Sequence, residues 1–176
     1  LALAAAREWP GDLRLSLNVT AADLSAASFA RELAGVVARS GFPAERLTLE
    51  VTEQALLTDM HLAGASLATL AEAGMRIALD DFGAGFCNFR YLKILPLHYL
   101  KLDRSMVEGI AGDPRDLAVL RAIVAMARAL ELDVIAEGIE TEDQRALIAA
   151  EGCAIYQGYL KARPMRAARF AEMVGG

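Results

Sequence analysis

Two adjacent carboxylates, Asp80 and Asp81, close the apolar run from Arg76 to Leu79 and are followed at once by Gly83 and Gly85. Successive side chains on a strand point to opposite faces, so both Asp can serve one site only where the strand is ending and the backbone is turning. The same arrangement, a short apolar run carrying a polar group near its C-terminal end, recurs along the chain. Asn18 stands in L-R-L-S-L-N-V-T, Glu50 and Glu53 in R-L-T-L-E-V-T-E, Lys101 and Asp103 in Y-L-K-L-D, Glu137 and Glu140 in A-E-G-I-E, and Gln157 in A-I-Y-Q-G-Y-L. Acidic side chains gathered at one place cannot all stay ionised without cations between them. Their donors are oxygens, with no Cys or His among them, which selects Mg²⁺ or Mn²⁺ over Zn²⁺. Neighbouring carboxylates suit a two-metal centre, in which one bridges two ions and the other holds the second, the arrangement that clamps the attacking and leaving oxygens of a phosphoryl transfer. Lys101 either orients the attacking water or only balances the acidic cluster.

Each of these residues needs an element to deliver it. Leu13 to Thr20 alternates apolar and polar positions as a strand does, and so does Arg46 to Glu53. Arg76 to Phe82, Tyr99 to Asp103, Asp133 to Glu140 and Ala154 to Leu160 are the other expected strands. Between them the spacing predicts a helix after Ser28 as its cap, a helix over Asp59 to Ala73 stopped by Gly74, a short turn from Phe89 and an amphipathic helix over Asp116 to Leu130. Thr141 and Gln144 make a capping box for the next, and Met165 to Val174 is a last helix. Strand and helix thus alternate six times at intervals of about 30 residues, the pattern of parallel βαβ units. No G-x-G-x-x-G follows the first strand, as a doubly wound nucleotide-binding sheet would favour. A (β/α) barrel is preferred, because it collects polar groups from the C-terminal ends of many strands around one axis.

The 176 residues, 55% of them hydrophobic and with mean hydropathy +0.32, are enough for one domain over 1–176 with a substantial core. No apolar run approaches the roughly 20 residues of a membrane span. A net charge of −5 and a pI near 5.1 argue against a basic stripe for polymeric nucleic acid, and an anionic ligand would need metal ions as counter-charge. Cys87 and Cys153 lack zinc-type or C-x-x-C spacing and read as small reduced side chains in a reducing compartment. Leu1 to Arg7 read as the end of a helix cut mid-way, so the chain is expected to be a piece of something longer.

The segments L-S-L-N-V-T, L-T-L-E-V-T-E, I-A-L-D-D-F-G-A-G-F, Y-L-K-L-D-R-S, V-I-A-E-G-I-E-T and Y-Q-G-Y-L-K-A-R-P resemble, in order and spacing, the successive motifs of EAL-type cyclic-di-GMP phosphodiesterases. The resemblance covers essentially the whole chain and implies an α/β fold, a modified TIM (β/α) barrel with about six of the eight strands present. It implies hydrolysis of cyclic di-GMP to linear pGpG with two Mg²⁺ or Mn²⁺ ions per site. Asn18, Glu50 and Asp80 match first-metal ligands, Asp80 also bridging, while Asp81 and Glu137 match ligands of the second metal. Lys101 matches the lysine that contacts the nucleophilic water and Asp103 its nearby acidic partner; Glu137 also matches a residue discussed as general base. Glu53 matches the glutamate that anchors the loop after the D-D strand, and Glu140 and Gln157 match supporting residues at the mouth.

Two departures accompany the resemblance. The glutamate of the E-A-L motif is absent, its place lying before Leu1, and Ala84, Phe86, Cys87 and Asn88 stand where the family commonly shows Thr, Tyr, Ser and Ser. The same family context implies a homodimer, sensory or cyclase-like domains elsewhere in the protein, and a cytoplasmic domain, free or membrane-anchored. The alternatives are a catalytically inactive cyclic-di-GMP receptor and an unrelated barrel hydrolase of another phosphoester.

Overall fold

The computed structural model describes residues 2–7, 9–10, 13–85 and 89–174. It falls into two compact units, one of Leu1–Ile77 with Pro164–Gly176 and one of Ala78–Arg163. Six strands run in chain order: β1 (Leu15–Asn18), β2 (Leu47–Thr52), β3 (Arg76–Phe82), β4 (Tyr99–Leu102), β5 (Asp133–Ala136) and β6 (Ile155–Tyr156), with β1 beside β2 and β3, β4, β5 and β6 side by side in that order. Pairing within each unit is parallel, and helices lie between successive strands, so the α/β class and barrel-type βα repeat expected from the alternation are present.

In the first unit, α1 (Ala2–Ala6), α2 (Ala21–Ser25), α3 (Phe29–Ser40), α4 (Glu53–Leu56), α5 (Met60–Glu72) and the C-terminal helix (Ala167–Val174) accompany β1 and β2. Leu47, Leu49 and Val51 of β2 are almost wholly buried, the core face that their alternation with Thr48, Glu50 and Thr52 predicts. Arg46 fixes the approach to β1 by donating from Nε to the carbonyl of Leu13 at 2.6 Å and from Nη2 to that of Pro10 at 2.9 Å. Trp9 meets Phe170 edge to face, 4.9 Å between ring centres.

In the second unit α6 (Phe89–Ile94), α7 (Ser105–Glu108), α8 (Pro114–Ala129) and α9 (Glu142–Ala150) connect the strands. Asp113 caps α8 with its carboxylate, Pro114 supplies the first-turn φ, and Leu120, Val124 and Ala127 are the buried part of its apolar stripe. Thr141 and Gln144 form the expected capping box on α9. Cys153 is buried, and its thiol donates to the carbonyl of Val134 at 3.3 Å. Burial pushes that thiol's pKa up, which suits a small core side chain.

Several boundaries differ from the sequence expectation. The ladders are shorter at their C-terminal ends: Asp103 lies beyond β4, Glu137 and Glu140 beyond β5, and Gln157 beyond β6. Ser28 occupies the N-cap position of α3 but makes no side-chain cap bond, because its backbone is already helical (φ −91°, ψ −18°). The short helices α2, α4 and α7 were not expected. For α2 the signal was present, since Thr20 and Asp23 make a reciprocal capping box. Cys87, with Phe86 and Asn88 of the glycine-rich loop, lies outside the described residues. Among the described residues no helix is long and apolar enough to cross a membrane.

One position in the second unit stores strain away from any candidate site. Glu131, after α8, holds φ at 59°, and its charge sits near the negative end of that helix. Glu131→Gly is expected to raise stability by about 0.5–1 kcal/mol, or about 2–4 °C in Tm. A lowered Tm in a thermal scan would show that Glu131 is held there by something worth more than the strain.

Candidate active site

The site in the second unit starts from an irregularity in β3. Leu79 pairs with Leu100 and Phe82 with Leu102, so β3 carries one residue more than β4 over that interval, a β-bulge. The extra length is absorbed at Asp81, whose φ of 56° is left-handed, and the Asp81 N–H donates to Asp80 Oδ1 at 3.0 Å. Two neighbouring side chains that a regular strand would send to opposite faces thereby come together. β3 spans Arg76–Phe82, as expected of it, and what the sequence did not announce is that it turns its two carboxylates together by a bulge within the strand.

Lys101 reaches the same place from β4, a strand in which all four residues are buried. Its ammonium lies 2.8 Å from Asp80 Oδ1 and 2.7 Å from Glu137 Oε1, with side-chain exposures of 4% for the lysine, 13% for Asp80 and 21% for Glu137. Glu137 arrives from the loop just past β5, its N–H donating to the carbonyl of Leu102 at 3.2 Å. One carboxylate oxygen each from Asp80, Asp81 and Glu137 lie within 4.8 Å of one another. Three carboxylates, Asp81 exposed and the other two mostly buried, gather beside one buried ammonium, and a hard cation is a natural complement to such a set of oxygens. Oxygens sharing one Mg²⁺ at ~2.1 Å lie no more than about 4.2 Å apart, so the set is close to the separation that a shared hard cation requires. The donor set fits such an ion.

The other predicted residues take up more varied positions. Asp103 accepts from the backbone N–H of Ser105 at 2.9 Å and from its hydroxyl, opening α7. The Ser105 hydroxyl, the larger influence, holds the Asp103 carboxyl below its usual pKa against a smaller opposing effect of burial. Glu140 is exposed and pairs with Arg104 at 3.2 Å, while its N–H donates to Gln144 Oε1 at 2.9 Å. Gln157 has an exposed side chain and acts through its backbone: its N–H donates to Ala136 O at 2.8 Å and its carbonyl accepts from Ile139 N–H at 3.1 Å. In the first unit, the β1–β2 register sets Asn18 beside Glu50. Both line a pocket of about 410 Å³ with Thr20, Thr52 and Gln54. Glu53 occupies the first turn of α4, which Thr52 caps. Sequence reasoning passed over Ser105 and Arg104, although D-R-S has the spacing of a side-chain-capped turn.

The EAL domain family model matches residues 1–164. A cyclic di-GMP phosphodiesterase of Pseudomonas aeruginosa is 42% identical over 153 residues, covering 87% of this chain and 26% of the relative. The chain therefore spans about a quarter of the length of that curated relative. Among solved structures, the EAL domain of Mycobacterium smegmatis DcpA superposes with a TM-score of 0.90 at 32% identity, covering 98% of this chain and 77% of that one. A Klebsiella pneumoniae protein solved as a manganese/cy-diGMP complex superposes with a TM-score of 0.85 at 28% identity, covering 93% and 42%.

Proposed function

The chain belongs to the EAL domain family, and on that premise we propose that it hydrolyses cyclic di-GMP to linear pGpG by a two-metal mechanism with Mg²⁺ or Mn²⁺. The observation that carries this reading is the convergence of Asp80, Asp81 and Glu137 around the buried Lys101. Those three carboxylates would hold divalent cations, and Asn18 and Glu50, side by side in the first unit, offer oxygen donors of the same hard kind. When bound, such ions lower the pKa of water and offset charge on the reacting phosphate.

The chain's own residues do the rest. Asp80, fixed on one side by Lys101, presents its carboxylate from a rigid strand, and the bulge turns Asp81 beside it. Lys101 offers a compact ammonium that can hold a water or a phosphate oxygen by hydrogen bonding while balancing the acidic groups. Glu137, pairing with the same ammonium, would accept a proton from that water. Asp103, kept anionic by Ser105, adds negative charge just beyond Lys101 and steadies the start of α7. A homodimer is part of the proposal, and sedimentation of the intact protein reads it.

The test is turnover of cyclic di-GMP by the intact protein, followed by separating the linear product. Mg²⁺ or Mn²⁺ is expected to support hydrolysis, whereas Ca²⁺ should leave nucleotide binding and stop turnover, because the larger ion takes more ligands at longer distances. Tight binding of cyclic di-GMP with no product in either Mg²⁺ or Mn²⁺ would instead identify a receptor.

A further inference from the structure

The geometry points to Arg104 as a positioning residue for Glu137, acting through the backbone of Gly138; this inference rests on the proposed metal-dependent reading of the site. Glu137 lies past the end of β5, where its N–H still bonds the Leu102 carbonyl of β4 but the chain beyond it leaves the sheet. The chain continues from Glu137 into a short loop whose backbone is gripped from two sides.

On one side stands the exit of β6. A Cβ added to Gly158 would fall 2.0 Å from the carbonyl oxygen of Ile139 and 2.4 Å from its nitrogen, so the two backbones are in direct contact. Ile139 N–H donates to Gln157 O at 3.1 Å, and Ile139 O accepts from Leu160 N–H at 3.0 Å. On the other side stands Arg104. Gly138 holds φ at 71°, and a Cβ there would meet Arg104 Cγ at 2.5 Å, Cβ at 2.9 Å and Cδ at 3.1 Å. The aliphatic stem of Arg104 therefore lies on Gly138 itself, and its guanidinium continues to Glu140 at 3.2 Å. Arg104 spans the loop from the residue after Glu137 to the end of the turn.

Arg104 is itself anchored by the turn that Asp103 and Ser105 close, three residues beyond Lys101 on the same chain segment. The exit of β4 thus carries one group that touches Glu137 directly, Lys101, and one that sets the path of its backbone, Arg104. The guanidinium pair is half exposed and contributes little to folding, so loss of Arg104 should show in the site and not in the melting temperature. Groups that orient a metal ligand from behind typically change metal affinity or activity by about 10–100-fold when removed.

The experiment measures Mn²⁺ binding to the intact protein from the free-Mn²⁺ electron paramagnetic resonance signal, beside kcat, KM and Tm. Arg104→Ala is expected to weaken Mn²⁺ binding and lower kcat by about tenfold each, with KM within about threefold and Tm within about 2 °C of the parent. Arg104→Met keeps the stem over Gly138 and should recover most of both losses. Binding and turnover of Arg104→Ala within about twofold of the parent would overturn the inference. So would a methionine variant no better than alanine, or losses that simply track a fall in Tm. If the parent protein binds no Mn²⁺ at all, the metal reading falls first and takes this inference with it, an outcome visible before any variant is made.

Discussion

Asp81→Gly is expected to give a protein at least as stable as its parent that hydrolyses cyclic di-GMP about a thousandfold more slowly or worse. The stability arm comes from the bulge. A side chain at φ 56° carries strain that glycine does not, less for Asp than for most residues, while glycine loses about 0.5–1 kcal/mol to the entropy of the unfolded chain. Removing one carboxylate from a cluster of three also relieves like-charge repulsion. The activity arm comes from the proposed role. A metal ligand supports several kcal/mol of transition-state charge stabilisation, and every 1.36 kcal/mol is about tenfold in rate. Asp81→Ala, which cannot relax the backbone, should be as inactive and less stable than Asp81→Gly. Turnover of the glycine variant within about tenfold of the parent would remove Asp81 from the reacting centre. A glycine variant clearly less stable than the alanine one would show that the bulge is not strained as described.

The opposite signs of those two effects express why this part of the site was only half legible from sequence. That Asp80 and Asp81 share a site was readable from their types and their place at the end of an apolar run. How they share it was not, because L-D-D-F contains no glycine at the bulge to mark a left-handed residue, and the visible glycines pointed to a turn two residues later. The strands were recognised because alternation and β-branched runs record burial, as β2 shows with Leu47, Leu49 and Val51. The C-terminal ends of β4, β5 and β6 were overextended because ladder hydrogen bonds leave no trace in residue type: Glu137 succeeds Ala136 without any compositional break, yet the strand ends between them, with the Glu137 N–H still bonded to the Leu102 carbonyl. Asp103 was read as part of the strand, whereas its carboxylate is used by the turn that opens α7. Lys101 between Asp80 and Glu137 joins residues from three strand ends, and only the parallel order β3, β4, β5 brings them together.

Lys101→Met is expected to destabilise the metal-free protein by about 2–4 kcal/mol and to lower turnover by at least about a hundredfold. The ammonium is 4% exposed and within 2.8 Å of two carboxylates that are themselves mostly buried. Its removal leaves Asp80, Asp81 and Glu137 facing one another without that counter-charge, and breaking one partner of a buried pair is costly because the other charge stays behind. Mg²⁺ should then restore stability, by about 2.7 kcal/mol at a hundred times its Kd, and the rise in Tm on adding it should exceed that of the parent, in which Lys101 already occupies the same oxygens. Restored stability should not bring restored turnover, since the ion replaces the charge but not a hydrogen-bond donor at that point. Lys101→Arg separates the two contributions further. It keeps the charge, so its metal-free stability should lie nearer the parent, but a planar guanidinium cannot occupy the position of a compact ammonium, and turnover should still fall by about a hundredfold. An arginine variant that turns over at close to the parent rate would reduce Lys101 to a counter-ion. A methionine variant whose Tm responds to Mg²⁺ no more than the parent's would mean that Asp80 and Glu137 are not where the ion binds.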